Sequence, residues 1–359
     1  MNPLNSYQNL DIFFITPLAT ELHEKFGIHY PPKLIPGFLV FYLPRGLIST
    51  PDPRDDEIVE GLSLSSNATI IRINYRLSQT QKYPTPVHDV LAGYDWVLKH
   101  FVPTVTNPNI KIKLGVCGEL VGGGLALTLA LTESWVERHG IKAVAVGNPI
   151  TEWQFPDTLL MDEQKDAHQQ SEGGLEEPHK IRRVYKKRTS WTMFGSNPLF
   201  SSKQLLSLRR AVFQNAPAIF DPFASPLYFL RTPGLEIPTW HDIPVDALTS
   251  PELREEDDLI IRRRKVARYF PPRDSDLRIP PTRILAGRNS LLCDQAVEMV
   301  KWMRKSVVVS ESNLESIFDG DENEMARRRV QLATCNGLGL WGMDTDDLFG
   351  VGRWLKDVE

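Results

Sequence analysis

Short apolar runs alternate with helical patterns along much of the 359-residue chain. The runs that predict strands are Gly37–Leu43, Ala68–Tyr75, Lys111–Cys117, Ile141–Gly147, Thr282–Gly287 and Val330–Thr334. The helical patterns between them cover Val87–His100, Leu120–Glu133 and Asp294–Lys305. In the first of these helices the apolar residues recur at helical spacing, and Pro86 stands near the start. This alternation is typical of βαβ units and predicts an α/β fold with a mostly parallel central sheet flanked by helices.

The pattern changes between residues 151 and about 277, where prolines and charged runs are frequent. Within this block, Asp162–Lys180 has the composition of an exposed, flexible segment. The basic runs, such as Ile260–Arg268, are short and have acidic stretches beside them, which favours solvated helix faces over a nucleic-acid surface. We therefore expect this block to form an inserted helical cap that covers one edge of the sheet.

Composition narrows the class of protein. The chain is 42% hydrophobic and 24% charged with a formal net charge of −4, so neither nucleic acid nor an anionic membrane is an expected partner. The three cysteines, Cys117, Cys293 and Cys335, form no disulfide framework or metal-ligand spacing, and they suit a reducing compartment. The first residues lack the pattern of a signal peptide, and no apolar run reaches about 18 residues. We therefore expect a cytoplasmic protein with no membrane span, metal or other cofactor.

The glycine-rich stretch Gly115–Glu133 raises the question of catalysis. Its frame, Gly118-Glu119-Leu120-Val121-Gly122, matches the G-x-S-x-G of a nucleophile elbow except that leucine stands in the nucleophile position. Glycines selected only for helix–sheet packing explain the frame about equally well. A dinucleotide-binding G-x-G-x-x-G does not fit in register.

Three other segments change that balance. Ile73–Leu98 resembles the strand, Tyr-Arg-Leu, proline and acidic-helix segment of the hormone-sensitive-lipase-like α/β-hydrolases. Leu277–Met299 resembles the strand and loop that carry the catalytic acid in that family, and Phe223–Gly234 resembles the Ser-Pro-Leu segment before it. The resemblance spans roughly residues 35–345 and is weakest near the C-terminus. The sequence as a whole resembles fungal members of the family.

This resemblance implies a single α/β-hydrolase-fold domain. The core is expected at about 31–150 and 278–359, and the cap or lid at about 1–30 and 151–277. An N-terminal segment, Leu10–Phe26, has an apolar stripe that suits a lid helix, although packing against the core explains the stripe equally well.

The family's catalytic residues can be carried over only position by position, and each position is altered. The nucleophile falls on Leu120, the acid on Ser290, and the histidine near Leu338, where the register is uncertain. Independently of register, no histidine follows His241, whereas the triad order of this fold places the histidine last. The second acidic position, Asp294, is kept and has a structural role in the family. The resemblance therefore implies a degenerate triad and no catalytic residues.

The loop that supplies oxyanion donors in the family falls on Leu43–Gly46. Pro44 has no backbone N–H, so this loop lacks one of the usual donors. Arg45 is expected to be an exposed loop residue, with anion binding as the less common alternative. The candidate pocket and elbow residues are Leu43, Pro44, Arg45, Gly46, Gly118, Glu119, Leu120 and Val121.

Other side chains near this edge are expected to be structural. Glu119 stands where the family commonly carries an acid, Cys117 lies inside a strand, and Asp89 is expected to anchor the loop below its helix. The histidines of the insertion, His168 and His179, are the remaining candidate bases.

Three functions of different classes follow. The leading hypothesis is a catalytically inactive α/β-hydrolase-like protein that binds a small apolar ligand or a protein partner in the former active-site pocket. A plant gibberellin receptor of this family, which lacks the catalytic histidine, sets a precedent. The alternative is a carboxylesterase-like or lipase-like hydrolase, or a non-hydrolytic dehydratase or cyclase of specialised metabolism. The third is a scaffold or an oligomerisation subunit, including a homodimer.

Overall fold

A central β-sheet carries the elements that build the site. The computed structural model describes residues 11–15, 37–46, 54–102, 112–137, 139–155, 189–197, 200–236, 261–262, 265–311, 322–341 and 345–358. Its strands are β1 (Asp11–Ile15), β2 (Phe38–Leu43), β3 (Thr69–Asn74), β4 (Lys113–Glu119), β5 (Ile141–Gly147), β6 (Leu235–Glu236), β7 (Ile261–Arg262), β8 (Thr282–Gly287) and β9 (Val330–Cys335). Seven of these described strands form one sheet in the order β1-β3-β2-β4-β5-β8-β9, in which only the β1–β3 pair is antiparallel. The predicted parallel α/β sheet is confirmed, with all six predicted strands within two residues of their expected bounds.

Helices cover both faces of this sheet. They are α1 (Arg54–Ser66), α2 (Thr85–Phe101), α3 (Leu120–Thr132), α4 (Ser190–Phe194), α5 (Ser202–Val212), α6 (Leu227–Leu230), α7 (Cys293–Glu311), α8 (Glu322–Arg329) and α9 (Thr345–Asp357), with a 3₁₀ turn at Ala216–Phe220. The three predicted helices correspond to α2, α3 and α7. None of the helices in the described ranges is both long enough and apolar enough to cross a membrane.

Alternate residues of each central strand face different helices. In β2, Leu39 and Phe41 belong to the larger apolar cluster, which includes residues of α2, α3 and α7. Val40 and Tyr42 belong to a second cluster, formed largely with α1 and α9. Because both faces are covered, the strands appear in the sequence as continuous apolar runs without polar alternation.

Two sequence-based expectations are wrong in their secondary structure. Asp11–Ile15, within the segment expected to form a lid helix, is strand β1 and pairs with β3 in the register Phe13↔Arg72. The apolar pattern of the five residues Asp-Ile-Phe-Phe-Ile suits a helix as well as a strand. Pairing with the edge of β3 satisfies their backbone N–H and C=O groups. The rest of Leu10–Phe26 lies outside the described residues. Within the basic run, Ile261–Arg262 is strand β7, paired antiparallel with β6, and not a helix face.

The insertion after β5 contributes short helices to the region above the sheet. Helices α4 and α5 each begin with a capping box, formed by Thr189 with Thr192 and by Ser201 with Gln204. The expected flexible segment Asp162–Lys180 lies outside the described residues. The division between core and cap at the predicted bounds stays a prediction.

Candidate functional site

The turn between β4 and α3 has the backbone geometry of an elbow. Leu120 joins the two elements with a φ of 51°, in the left-handed region that non-glycine residues adopt only rarely. Glu119 before it is still extended, so the chain reverses direction at one residue. A packing motif alone does not require this conformation, whereas an elbow that presents one side chain does.

The glycines of the frame allow this turn to form against the neighbouring loop. A Cβ on Gly122 would lie 2.2 Å from the carbonyl oxygens of both Leu43 and Pro44. A Cβ on Gly118 would lie 2.7 Å from backbone atoms of Gly122 and from the Leu43 oxygen. Backbone atoms cannot move aside as a flexible side chain would, so both positions require glycine.

The side chain presented by this elbow is apolar and enclosed. Leu120 is 2% exposed and belongs to the larger apolar cluster, while its carbonyl accepts a hydrogen bond from Ile150 N at 3.0 Å. An aliphatic side chain has no lone pair or ionisable proton, so it cannot act as a nucleophile.

The loop Leu43–Gly46, predicted to match the family's oxyanion loop, is held inward by a buried ion pair, which corrects the expectation that Arg45 is exposed. Arg45 is 3% exposed, and its Nε donates to Glu119 Oε2 at 2.7 Å. The other carboxylate oxygen of Glu119 accepts the backbone N–H of Trp341 at 2.5 Å. One carboxylate therefore ties the β2 loop, the elbow and the loop after β9 together. Because Glu119 stabilises a buried guanidinium, a solvated loop conformation of Arg45 is disfavoured.

Burial dominates the electrostatics of this pair. Burial raises the pKa of the Glu119 carboxyl above its ordinary value, and the Arg45 guanidinium and the Trp341 N–H offset part of that rise. The nearby Tyr42 hydroxyl is also buried, which raises its pKa, and it donates to Asp55 Oδ1 at 2.7 Å. Two donors, the Arg45 guanidinium and the Trp341 N–H, therefore stabilise the buried Glu119 carboxylate and connect the loops around it.

The remaining residues of the loop are fixed by Tyr75. Its hydroxyl donates to the Pro44 carbonyl at 2.6 Å. Gly46 has a φ of 65°, and a Cβ there would lie 2.4 Å from the same hydroxyl oxygen. The loop thus turns its carbonyl toward Tyr75 and its arginine toward Glu119.

Ser290, at the position predicted for the family's acid, uses its hydroxyl for local structure. Ser290 follows β8, is fully buried, and accepts the backbone N–H of Leu292 at 3.2 Å through its Oγ. Its own backbone N–H donates to the Gly287 carbonyl at 3.0 Å. Asp294, four residues on, accepts the N–H of Ser190 at 2.7 Å and so joins α7 to the first turn of α4. A role in fixing structure, expected for Asp294 from the resemblance, agrees with this contact.

The predicted histidine position holds a leucine in a packed loop. Leu338 is 6% exposed, and its carbonyl accepts a hydrogen bond from Asn148 Nδ2. The other end of that amide, Oδ1, accepts the N–H of Gly287 at 3.2 Å, and Asn289 N donates to the Gly337 carbonyl at 3.0 Å. The loops after β8 and β9 therefore lie in contact at the same edge of the sheet as the elbow. The assignment of Leu120, Ser290 and Leu338 to triad positions stays a prediction.

A cavity beside the elbow is almost filled. It lies between α2, α3 and the cap, and its walls include Val121, Leu125, Trp153 and Phe213. The free volume is about 20 Å³, which is room for one water-sized group. The indole of Trp153 and the ring of Phe213 pack edge to face with centroids 5.2 Å apart in the wall of this cavity.

Sequence reasoning missed a buried charge network where the cap meets the core. Arg231 is fully buried, with Nη2 2.8 Å from Glu152 Oε2 and Nε 3.1 Å from Glu298 Oε1. Tyr228 OH donates to Glu152 Oε2 at 3.1 Å, and Lys265 lies 3.0 Å from Glu298 Oε1. The residues that carry the central charges, Glu152, Arg231 and Glu298, lie 67 to 146 positions apart in the chain. Arg231 stands within the segment Phe223–Gly234 that the sequence singled out, but no pattern in the sequence indicated its two partners.

The other candidate groups have structural environments. Asp89 accepts the backbone N–H and two guanidinium nitrogens of Arg76 at 2.7–2.9 Å, which confirms it as a loop anchor. Cys117 is fully buried, as predicted, and burial raises the pKa of its thiol. Burial, with a smaller contribution from Asp294, also raises the pKa of Cys293, so neither thiol is favoured as a thiolate. Within the described ranges, His, Cys, Asp and Glu side chains do not group in threes as a metal site requires. The predicted alternative bases His168 and His179 lie outside those ranges.

Comparisons with known proteins identify the class to which this fold and elbow belong. A family model described as alpha/beta hydrolase fold matches residues 46–229, just over half of the chain, so the chain belongs to the α/β-hydrolase family. The predicted family resemblance is thereby confirmed. No curated protein matches the chain by sequence.

Solved esterases share the fold at low sequence identity. A hyperthermophilic esterase from the archaeon Pyrobaculum calidifontis superposes with a TM-score of 0.52 at 13% identity, covering 89% of this chain and 74% of its own. Carboxyl esterase 2 from the fungus Tuber melanosporum gives 0.52 at 13% identity, with 89% and 77% covered. An esterase of the bacterial hormone-sensitive lipase family gives 0.53 at 15% identity, with 92% and 79% covered. At these identities the likeness shows the fold.

Proposed function

We propose that this chain is a catalytically inactive α/β-hydrolase-like protein whose former active-site edge has become a packed joint between core and cap. The observation that carries the proposal is Leu120, which occupies the strained nucleophile position of an otherwise well-formed elbow. The strain of a left-handed non-glycine residue costs about 1–3 kcal/mol. In this elbow the strained position holds an aliphatic side chain, which cannot act as a nucleophile.

The neighbouring positions support the same conclusion. Ser290 uses its hydroxyl as an acceptor for a backbone N–H, and Leu338 is an aliphatic side chain in the loop where a histidine base would stand. Pro44 has no N–H to donate, and Arg45 beside it is committed to Glu119. Loss of a triad lowers turnover by about 10⁶-fold, and the remaining acceleration depends largely on an oxyanion hole. Both contributions are absent in this proposal.

The filled cavity favours a joint over an open ligand pocket. The described residues leave about 20 Å³ beside Val121 and Leu125, so an apolar ligand larger than a water molecule would have to displace Trp153 or Phe213. Ligand binding in this pocket therefore requires opening of the cap, and its free energy would be reduced by the cost of that opening. Thermal unfolding with a lipid, terpenoid and polyketide panel tests this: the proposal expects no ligand to raise the melting temperature.

Hydrolysis of p-nitrophenyl acetate and p-nitrophenyl butyrate tests the inactivity. The wild-type chain is expected to release p-nitrophenol no faster than the Leu120→Ala variant and no faster than buffer containing an equal mass of an unrelated protein. Turnover above these controls that is abolished by changing one specific Ser, Cys or His would refute the proposal.

The family and the solved neighbours favour one second candidate, a carboxylesterase-like hydrolase or a non-hydrolytic relative with substitute residues. A histidine base for such an enzyme would have to come from outside the described residues. The histidines within the described ranges, His88, His100 and His139, are exposed and lie on α2 or in the loop before β5. A pH profile of any residual turnover separates the candidates: an inflection near pH 6–7 indicates a histidine base, and a monotonic rise with hydroxide indicates uncatalysed hydrolysis.

A protein partner or a second copy of the chain is the remaining form of the proposed binding role. Size-exclusion chromatography with light scattering measures self-association directly, since a homodimer has a mass above the 40.8 kDa of one chain.

A further inference from the structure

The loop after β9 begins with an asparagine followed by a glycine, Asn336-Gly337. No other asparagine in the 359-residue sequence precedes a glycine. Asn336 is exposed and comes directly after Cys335, the last residue of β9. Its side-chain amide makes no hydrogen bond to any residue that the structure describes. The carboxamide is therefore free to turn toward the next backbone nitrogen.

The backbone nitrogen of Gly337 is accessible to that carboxamide. Gly337 has a φ of 79°, and a Cβ built on it would have no atom within 4 Å. Because glycine has no side chain, residue 337 does not shield its own nitrogen from an approaching carbon. Its N–H has no acceptor within the described part of the chain, whereas its carbonyl accepts the N–H of Asn289 at 3.0 Å. The residue is thus held in place through its carbonyl while its nitrogen stays uncommitted.

Two other exposed asparagines that precede small residues differ in this respect. Asn67 precedes Ala68, whose N–H donates to the Ser66 hydroxyl at 3.2 Å. Asn289 precedes Ser290, whose N–H donates to the last carbonyl of β8 at 3.0 Å. At both positions the nitrogen that follows the asparagine is held in a hydrogen bond, which has to break before that nitrogen can react.

We propose that Asn336 is a site of spontaneous deamidation in the folded protein, since asparagine is a thermolabile residue and here its neighbour is uncommitted. The Gly337 nitrogen gives its proton to solvent and attacks Cγ of Asn336, and the side-chain nitrogen leaves as ammonia. Water then opens the resulting succinimide ring. Opening at Cγ restores the main chain with an aspartate, and opening at the main-chain carbonyl carbon produces an isoaspartate. The net reaction consumes water and replaces a neutral amide with a carboxylate.

The isoaspartate product would alter the loop that attaches to the elbow. In that loop the Leu338 carbonyl accepts a hydrogen bond from Asn148 Nδ2, and Trp341 N donates to Glu119 Oε1 at 2.5 Å. An isoaspartate at position 336 routes the main chain through its side chain and lengthens it by one atom. The residues that follow then cannot keep their present positions relative to β9, so these hydrogen bonds weaken. This reaction is independent of the proposed inactivity, because it needs only Asn336, its neighbouring nitrogen and water.

Peptide mapping by mass spectrometry tests the proposal on the full chain, kept folded in mildly alkaline buffer made with water enriched in a heavy oxygen isotope. The peptide that contains Asn336 is expected to gain the mass of a carboxylate in place of an amide, with one heavy oxygen, before the peptides that contain Asn67 or Asn289. The isotope separates this reaction from deamidation during the later digestion in ordinary water. Methylation of the intact chain by an isoaspartate-specific methyltransferase should increase in parallel.

Two variants assign the modification to its position. Asn336→Gln should lose both the mass gain and the methylation, because a glutamine side chain would have to close a larger and less favourable ring. Asn67→Gln is the matched control and should keep both. An unmodified Asn336 in the folded wild type would overturn the proposal, as would modification at Asn67 or Asn289 at the same rate.

Chemical denaturation measures the effect on the loop. Wild-type chain that has been incubated until position 336 is modified should unfold at a lower denaturant concentration than Asn336→Gln incubated in the same way. Before incubation the two chains should unfold at the same concentration, since the Asn336 side chain is exposed and makes no hydrogen bond to the described residues. Equal midpoints after incubation would overturn the effect of the isoaspartate on the attachment to the elbow.

Discussion

The two edges of the sheet differ in how their charged side chains are placed and in how much free volume lies beside them. At the carboxyl edge, Arg45 is buried but lies 2.7 Å from the Glu119 carboxylate, and the adjacent cavity has about 20 Å³ of free volume. At the amino edge, a cavity of about 300 Å³ has four basic residues among its lining. The carboxyl edge therefore keeps little free volume beside its buried ion pair, whereas the amino edge holds a larger cavity.

This difference separates what a fold preserves from what a site requires. The elbow geometry depends on backbone contacts of Gly118 and Gly122, which stay the same whichever side chain stands at position 120. Ligand recognition depends on open volume, and the amino edge has more of it than the carboxyl edge, where the family resemblance places the active site.

The largest expected effect comes from separating the buried ion pair. Glu119→Leu is expected to lower the free energy of unfolding by about 3–5 kcal/mol, because it removes the carboxylate beside a buried guanidinium. Chemical denaturation measures the change. The double variant Arg45→Met with Glu119→Leu should recover the part of the loss that comes from the unpaired guanidinium, while the buried Trp341 N–H that Glu119 accepts still lacks its acceptor. A double variant no more stable than the single one would show that the pair is not the cause.

The elbow glycine should be nearly as sensitive. Gly122→Ala is expected to destabilise the protein by about 3 kcal/mol, because the added methyl group would meet two carbonyl oxygens at 2.2 Å. Gly350→Ala in α9 is the control, since a Cβ there meets nothing within 4 Å. That variant should be more stable than the wild type by about 0.4–1 kcal/mol. Thermal melts of the two variants would contradict the elbow geometry if both moved in the same direction.

The network between cap and core should give a pH-dependent effect. Burial alone would raise the pKa of Glu298, but Arg231 and Lys265 lower it below its ordinary value. A carboxylate with a lowered pKa in the folded state stabilises that state above its ordinary pKa of about 4.5, and the contribution is lost as the pH falls through the folded-state value. Glu298→Gln should therefore cost about 1–2 kcal/mol at pH 7 and progressively less below pH 4.5. A cost that does not change with pH would assign the loss to packing.

The smallest effect is expected at the amino edge. Arg278 is exposed, so Arg278→Gln should change the free energy of unfolding by no more than about 0.5 kcal/mol in buffer without phosphate. A large loss of stability without any anion would indicate that this arginine holds the fold together.

Local sequence patterns predicted most of the strands and helices, but they could not predict contacts between residues far apart in the chain. The strands around Val40, Val116 and Val144 are buried on both faces, so their apolar runs identified them. The strand Asp11–Ile15 was misassigned because five apolar-rich residues cannot separate strand from helix without their partner β3.

The site shows the same limit. The glycine frame at Gly118–Gly122 is a local pattern, and it predicted the elbow. The ion pair between Arg45 and Glu119 joins residues that are 74 positions apart, so no local pattern predicted it. The cations of the amino edge appear in the sequence as isolated residues at strand starts. Only the parallel register brings them together.

Intact mass spectrometry after incubation with a fluorophosphonate tests the central claim most directly, because this reagent labels serines only where a catalytic site activates them. We expect an unchanged mass for the folded wild-type chain, as for the Leu120→Ala variant, with an active carboxylesterase as the positive control. Stoichiometric addition of one probe per chain at a single serine, lost when the protein is unfolded first, would contradict it.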